Sequence, residues 1–373
     1  MWGIATKTLK ADPWKCLMAL LGLTFTLVLM NVQGGLFIGL IRKVSLMVDY
    51  GDADIWVGHR RMHNVDFAED IPAAWANRIR ALPDVETAAP YLIGWSSITV
   101  PGGGREAVVV VGAEPPELLG NAWNVVRGNP RDVLRPDGIT VDVYELPKLG
   151  WPRIGEVREI GGKRARIVAY TRGVMGFLVA PYVFTTFSRA ARFCRKPPGA
   201  CSYILVRARP GADLRALCDQ IRLRIPEADV YTRGEYSRLS VDFWMRRTGL
   251  GISFGAATLL GMLVGLSIVA QTMYASVLDR MPEFAALKAM GIRNRDLAIV
   301  LLAQALFLAL IACCVGMVVV GGIQWAFSTP RAPIWIPWWL SVGSCLAVVL
   351  VALASAIPPY MKLRQVDPML ALQ

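Results

Sequence analysis

Charge is absent from four long stretches of this chain: Cys16 to Ile41, Thr248 to Leu278, Leu297 to Pro330 and Ala332 to Met361 contain no Asp, Glu, Lys or Arg. A helix needs roughly 20 apolar residues to cross the hydrocarbon core, and each stretch exceeds that. One charge at the bilayer centre costs about 2.5–3.5 kcal/mol on insertion scales, so charge-free runs this long read as membrane spans. Helices buried in a soluble core would normally show a polar face, and these do not. The spacing is uneven. A 205-residue polar segment, Lys43 to Arg247, separates the first stretch from the other three, which follow closely on one another. This pattern predicts a membrane α plus extracytoplasmic α+β fold: four transmembrane helices with a large α+β domain inserted between helices 1 and 2.

The expected layout runs as follows. Residues 1–15 form an amphipathic helix at the cytoplasmic surface, with Trp2, Ile4, Ala5 and Leu9 towards lipid, and Asp12-Pro13 turns it into the first span, 16–42. The external domain occupies 43–247, the second span 248–278 and a cytoplasmic loop 279–296. The third span is 297–330, a short external loop 331–337, the fourth span 338–360 and a cytoplasmic tail 361–373. The first stretch is longer than the roughly 7–15 residues of a signal-peptide apolar core and lacks a small-x-small site after it, so it reads as a retained anchor. Lys7, Lys10 and Lys15, then Arg280, Lys288, Arg293 and Arg295, then Lys362 and Arg364 lie on one side of the spans. The loop between spans three and four carries only Arg331. Basic short loops stay inside, which places both termini in the cytoplasm and residues 43–247 outside, in the periplasm. The Arg42-Lys43 and Arg246-Arg247 pairs oppose this weakly, because segments of such length cross largely regardless of charge.

The net charge of +12 raises nucleic-acid binding as a function. Its basic residues are scattered among acids with no dense stripe beside stacking aromatics, so no nucleic-acid partner is expected. Such a balance suits a membrane protein near anionic lipid. Cys16, Cys313, Cys314 and Cys345 lie in or beside spans and read as small packing residues. In the external segment Cys194 and Cys201 flank Arg-Lys-Pro-Pro-Gly-Ala, and an oxidising compartment would favour a Cys194–Cys201 disulfide, leaving Cys218 free.

Within that segment, strands are expected at Ala53 to Val57, Val85 to Val100, Ala107 to Val111, Ser202 to Ala208 and Ala228 to Tyr231. Helical spacing marks Pro72 to Leu82 and Asp213 to Ile225. A hairpin joins Val157–Ile160 to Ala165–Tyr170 across Gly161-Gly162-Lys163. One or two small α+β lobes follow. In the spans, Asn31 and Gln33 read as interhelix hydrogen-bonding groups. Gly251 and Gly255, with Gly261 and Gly265, are small residues four apart on one helix face, expected to pack closely against another helix or a second copy of the chain. Pro358-Pro359 should end the fourth span. His59 and His63, with Asp66 near, read as a solvated pair rather than a metal site, and no nucleophile–base constellation stands out. Gly162-Lys163 is followed by Arg164 and lacks the glycine and hydroxyl of a phosphate-cradling loop. Neither cofactor nor metal is therefore expected in this chain.

The most specific stretch is Leu278-Asp-Arg-Met-Pro-Glu-Phe-Ala-Ala-Leu-Lys-Ala-Met-Gly-Ile-Arg-Asn-Arg-Asp-Leu297. Pro282 suits the first turn of a helix, Phe284, Leu287 and Met290 share a face, Gly291 can cap its C-terminus, and Asn294 can cap the next span. A short amphipathic helix between two spans needs a partner for its apolar face.

This stretch resembles the MacB/FtsX-type ABC transporter permease pattern, roughly Arg-x-x-Glu-Ile-Gly-x-Leu-Lys-Ala-Leu-Gly-Ala-x-x-x-x-Ile. Arg280, Glu283, Leu287, Lys288, Ala289, Gly291 and Leu297 match in order; Phe284-Ala285 and Met290 depart. The tail Tyr360 to Leu370, with basic residues before Pro-x-x-Leu, is similar to the family ending. Val157 to Ala169 and Tyr203 to Glu235 are similar to its external hairpin and its final strand, helix, strand and Thr-Arg element. Gly22 to Met30 looks closest to the DevC branch, exporter permeases without a fused ATPase. The resemblance implies a homodimer in which each copy inserts its cytoplasmic coupling helix into a separate ABC ATPase subunit, here through Arg280, Pro282, Glu283, Phe284, Leu287, Lys288, Met290, Gly291 and Arg293. It implies type VII mechanotransmission, with ATP and Mg bound and ATP hydrolysed in the partner and not in this chain. A periplasmic membrane-fusion adaptor and an outer-membrane duct would complete an efflux path for lipid, glycolipid or other hydrophobic cargo from the inner membrane. Two alternatives share the stroke: an FtsX-like signalling scaffold that activates a periplasmic cell-wall hydrolase, and a lipoprotein-releasing permease.

Overall fold

The computed structural model describes residues 13–177, 180–247, 249–279 and 293–364. The chain divides into two units, one made of Met1–Gly39 with Gly251–Gln373 and the other of Leu40–Leu250.

The first unit is built on four helices long and apolar enough to cross a membrane. These are α1 (Pro13–Val44), then, after the inserted domain, α7 (Leu250–Asp279), α8 (Asn294–Phe327) and α9 (Trp338–Ser355), which is followed by α10 (Ile357–Arg364). Residues 1–12 of the expected surface helix lie outside the described residues. Its last three, 13–15, already belong to α1, because proline suits a first helical turn and opens the span there. Arg42 and Lys43 occupy the last turn of α1, where cations complement the helix dipole. Helix α9 ends at Ser355, before Pro358-Pro359, and those prolines sit in the first turn of α10, within the apolar stretch Trp338–Lys362, rather than terminating it. Leu23, Leu27, Val269, Ala309, Ala312 and Val348 pack in one core drawn from all four spans. Trp325 and Trp338 are exposed on either side of the loop between α8 and α9, as rings at a membrane–water boundary would be.

The second unit is an α+β domain. After α2 (Leu46–Asp49) come β1 (Ile55–His59), β2 (Ile71–Pro72), α3 (Trp75–Arg80), β3 (Val85–Thr99), β4 (Arg105–Ala113) and β5 (Val125–Arg127). Next are β6 (Gly138–Asp142), β7 (Val157–Ile160), β8 (Lys163–Thr171), β9 (Tyr182–Thr186), α4 (Phe187–Phe193) and β10 (Ala200–Cys201). The domain finishes with β11 (Tyr203–Ala208), α5 (Leu214–Arg224), β12 (Ala228–Thr232) and α6 (Arg233–Arg246). Strands β12, β1, β11 and β3 pair antiparallel in that order. Alternation along a strand sends Ile55 and Val57 to a core shared with α3 and α5, and Trp56 between them to the opposite core shared with α6.

β3 is long enough to serve twice. Its first half pairs with β11 and its second with β4. From β4 the pairing continues through β9, β6, β8 and β7, and returns to β3 at Ile98–Ile160, so these six strands close on one another. The expected lobes are thus two halves of one ten-stranded sheet joined through a shared strand. The β7–β8 hairpin turns on Gly161 and Gly162, both at positive φ, as a two-residue primed turn requires.

The expected Cys194–Cys201 bridge is not formed. Both cysteines are free thiols. Cys194 caps α4 and packs against the core of the closed strands, while Cys201 is buried in a separate core beneath α3 and α5, so the two thiols settle in different clusters. Burial pushes the Cys194 thiol up to about 11 and that of Cys201 to about 12.

Candidate functional site

The glycine face of the second span has a partner within the same chain. A Cβ placed on Gly261 would meet Leu29 of α1, and one on Gly265 would meet Thr26, both well inside contact distance. Further along the same seam, Gly22 of α1 would bring a Cβ to 2.8 Å from Ile268, and at the other end Phe37 and Phe254 pack ring to ring at 5.1 Å. The two helices therefore run antiparallel in one continuous register, with small residues allowing close approach. Gly255 has nothing within 4 Å, and Gly251 is half-buried. Gly261 and Gly265 are thus an intrachain packing face, which removes them from the expected dimer face because α1 already fills it.

In the first span Asn31 bonds across helices, and its other bond and that of Thr26 stay within α1. The Asn31 amide donates to Ser344 Oγ on α9 at 2.7 Å and to the Leu27 carbonyl at 2.9 Å, and Thr26 donates to the Gly22 carbonyl. Asn294 is the first helical residue of α8 and Arg293 its N-cap, so the expected Asn294 cap is displaced by one residue and the cap side chain makes no hydrogen bond. Arg280, Pro282, Glu283, Phe284, Leu287, Lys288, Met290 and Gly291 lie outside the described residues, as does the tail from Gln365.

In the second unit the entry and exit of the domain share one core. Met47 and Val48 of α2 are buried in the cluster that also holds Trp56, Tyr203 and Tyr236 of α6, with Leu239 packed against it. Helix α6 follows β12 directly and starts with a capping box. Thr232 accepts from the Glu235 amide, and the Glu235 carboxylate accepts from the Thr232 amide, which holds that carboxyl below its usual range. This helix was missed from sequence, although Thr232-Arg-Gly-Glu235 is the signal that marks it.

Behind α6 lies a buried polar network. The Tyr236 hydroxyl donates to that of Tyr203, which donates to the Asn64 and Val65 carbonyls, and Asn64 Oδ1 accepts from the amides of Asp66 and Phe67. The Tyr182 hydroxyl donates to Asp66 Oδ1 at 2.8 Å, while Asp66 Oδ2 is buried with no partner. Burial raises the Asp66 carboxyl to about 6 even though the tyrosine bond pulls it down. His59 and His63 are half-buried rather than solvated. His59 Nδ1 contacts the Arg60 carbonyl at 2.7 Å and lies 3.5 Å from Glu69, and His63 stacks on Phe243 of α6. Phe67 packs against Phe243 and Trp244, and Phe177 against Trp244. Aromatic contacts thus tie the 62–69 loop to the C-terminal end of the helix that leads to the second span.

The model of the MacB-like periplasmic core domain matches residues 16–223, more than half of the chain, and that of the FtsX-like permease C-terminal region matches 255–368. No curated protein matches. Among solved structures, the periplasmic region of MacB from Actinobacillus actinomycetemcomitans is 9% identical, covering 53% of this chain and 96% of that one with a TM-score of 0.39. The extracellular domain of the noncanonic ABC-type transporter YknZ from Gram-positive bacteria is 7% identical, covering 48% and 98% with a TM-score of 0.36. With one family model spanning the first helix and most of the inserted domain, and the other the last three spans, the chain belongs to the MacB/FtsX-type permeases of ABC transporters.

Proposed function

We propose that this chain is the permease subunit of an ATP-driven type VII exporter, a lever that relays force made by a separate ATPase. The observation that carries the reading is the shared core of α2 and α6, which holds the first and last helices of the external domain together. A displacement of those helix ends then moves the domain as a body, because a close-packed core transmits strain rather than absorbing it. Hydrolysis of ATP belongs to the partner subunit, and the chain works as a pair in the inner membrane with both termini cytoplasmic and 43–247 periplasmic. A DevC-like pairing with a periplasmic adaptor and outer-membrane duct, exporting lipid, glycolipid or another hydrophobic cargo, extends the same reading.

The segment from Arg280 to Arg293 is the docking element, and Glu283 is its central acid. Glu283→Lys places a like charge where complementarity is needed, a change that costs several kcal/mol at an interface. The expected result is at least a tenfold loss of ATPase capture by the detergent-solubilised permease, with the permease alone hydrolysing no ATP. Unchanged capture and unchanged stimulated hydrolysis would remove the docking role.

A further inference from the structure

A cleft of about 460 Å³ opens on the external domain between the 66–69 loop, the middle of β3 and the end of α4. Its size is that of a small-molecule site. Three segments distant in sequence build it. Asp66, Phe67 and Glu69 line it from the loop, Ile93, Gly94 and Trp95 from β3, and Cys194 and Lys196 from the end of α4 and the turn after it. Gly94 is required for this shape, since a Cβ there would lie 2.9 Å from Cys194 Sγ.

The lining has a definite chemical preference. Trp95 and Phe67 are 50% and 55% exposed, so about half of each large ring is open to solvent. Lys196 is the one cation of the lining, and the Asp70 carboxylate holds it in an ion pair. Glu69 is exposed, its carboxylate 3.5 Å from a histidine nitrogen already engaged with the Arg60 carbonyl. Asp66 keeps one buried oxygen without a partner among the described residues. A ring face attracts a cation, and an unpaired buried carboxylate oxygen favours a positive donor over a neutral or anionic one.

We propose that this cleft binds an organic cation: an ammonium or guanidinium group set between Glu69 and Asp66, on an aromatic or amphiphilic body lying against Trp95 and Phe67. An anion would meet two carboxylates with only an engaged lysine to answer them. A neutral apolar molecule would leave Asp66 unserved. This site concerns binding by the permease alone and does not depend on the exporter reading.

The test uses the full chain in zwitterionic-lipid nanodiscs, with empty nanodiscs as the blank. The probes are naphthylethylamine and its uncharged N-acetyl form, read by saturation-transfer NMR. The amine should bind saturably and the acetylated form about tenfold more weakly. Trp95→Ala and Glu69→Gln, both at exposed positions that leave the core intact, should each weaken the amine several-fold. Asp66→Asn, which keeps an acceptor for Tyr182, should do the same. Equal binding of the two probes, no saturable binding by the wild type, or wild-type affinity in both Trp95→Ala and Glu69→Gln would overturn the proposal. Because the ATPase is absent from this measurement, failure here is distinct from failure of the lever reading.

Discussion

Asp66 sets a pH dependence that can be assigned to a single side chain. It is 8% exposed, bonded through one oxygen to Tyr182 and unserved at the other, and its carboxyl is raised from the usual 3.8 to about 6 by burial. Between those two values the folded chain holds a proton that the unfolded chain has released. Stability from this group is therefore complete below about pH 4 and is lost as pH rises through 6, a loss of about 3 kcal/mol. Burial raises Glu114 and Asp142 as well, so the wild-type profile is a composite of the same sign. Asp66→Asn isolates the one term. The variant keeps the Tyr182 bond and places no charge in the core, so above pH 6 it should melt higher than the wild type, with the gap closing towards pH 4. Thermal melts of the detergent-solubilised permease across that range measure the difference, and parallel curves would show that the carboxylate is not the source.

At the scale of elements, the seam between α1 and α7 separates two kinds of glycine that look alike in sequence. Gly265 faces the fully buried Thr26, while Gly255 faces open space. Gly265→Leu overpacks the seam and should cost about 1–3 kcal/mol or more, whereas Gly255→Leu, four residues from Leu259 on the same exposed run, should leave the melting temperature of the solubilised chain nearly unchanged. Equal effects of the two would contradict the seam. The Gly-x-x-x-Gly spacing was legible, but not which helix would fill it, because spacing describes one surface and the partner is chosen in three dimensions. The same limit governs the sheet. β1, β3, β4, the β7–β8 hairpin, β11 and β12 announce themselves by β-branched runs and turns. β6 and β9 do not: each is five residues, buried throughout, with no alternation to read. Their parallel pairings, β6 with β8 and β4 with β9, join segments that are not neighbours in sequence, so no local pattern records them. The cleft at Trp95 was invisible for that reason too, since Asp66, Gly94 and Lys196 meet only after the long strand β3 has been shared between the two halves.

For the molecule as a whole, the proposed lever needs the external domain to move as one body and its last helix to be rigid. Within that domain, α2 and α6 share a core, a capping box joins β12 directly to α6, and Phe67, His63 and Phe177 pack against the last turn of α6. A stiff connection carries displacement, whereas a Gly/Ser linker behaves as a random coil and dissipates it. Inserting a short Gly/Ser segment after Arg247 should therefore leave ATPase capture, ATP hydrolysis and the fold of the external domain intact while disconnecting the two. Leu223, 83% exposed on α5, offers a position for a spin label that reports on the domain without disturbing its core. In the reconstituted pair, the label-to-label distance should change between nucleotide-free and ATP-trapped states in the uninterrupted chain and should cease to change in the insertion variant. An insertion variant whose partner ATPase still turns over and that still shows the full shift would mean that force reaches the external domain by some route other than α6.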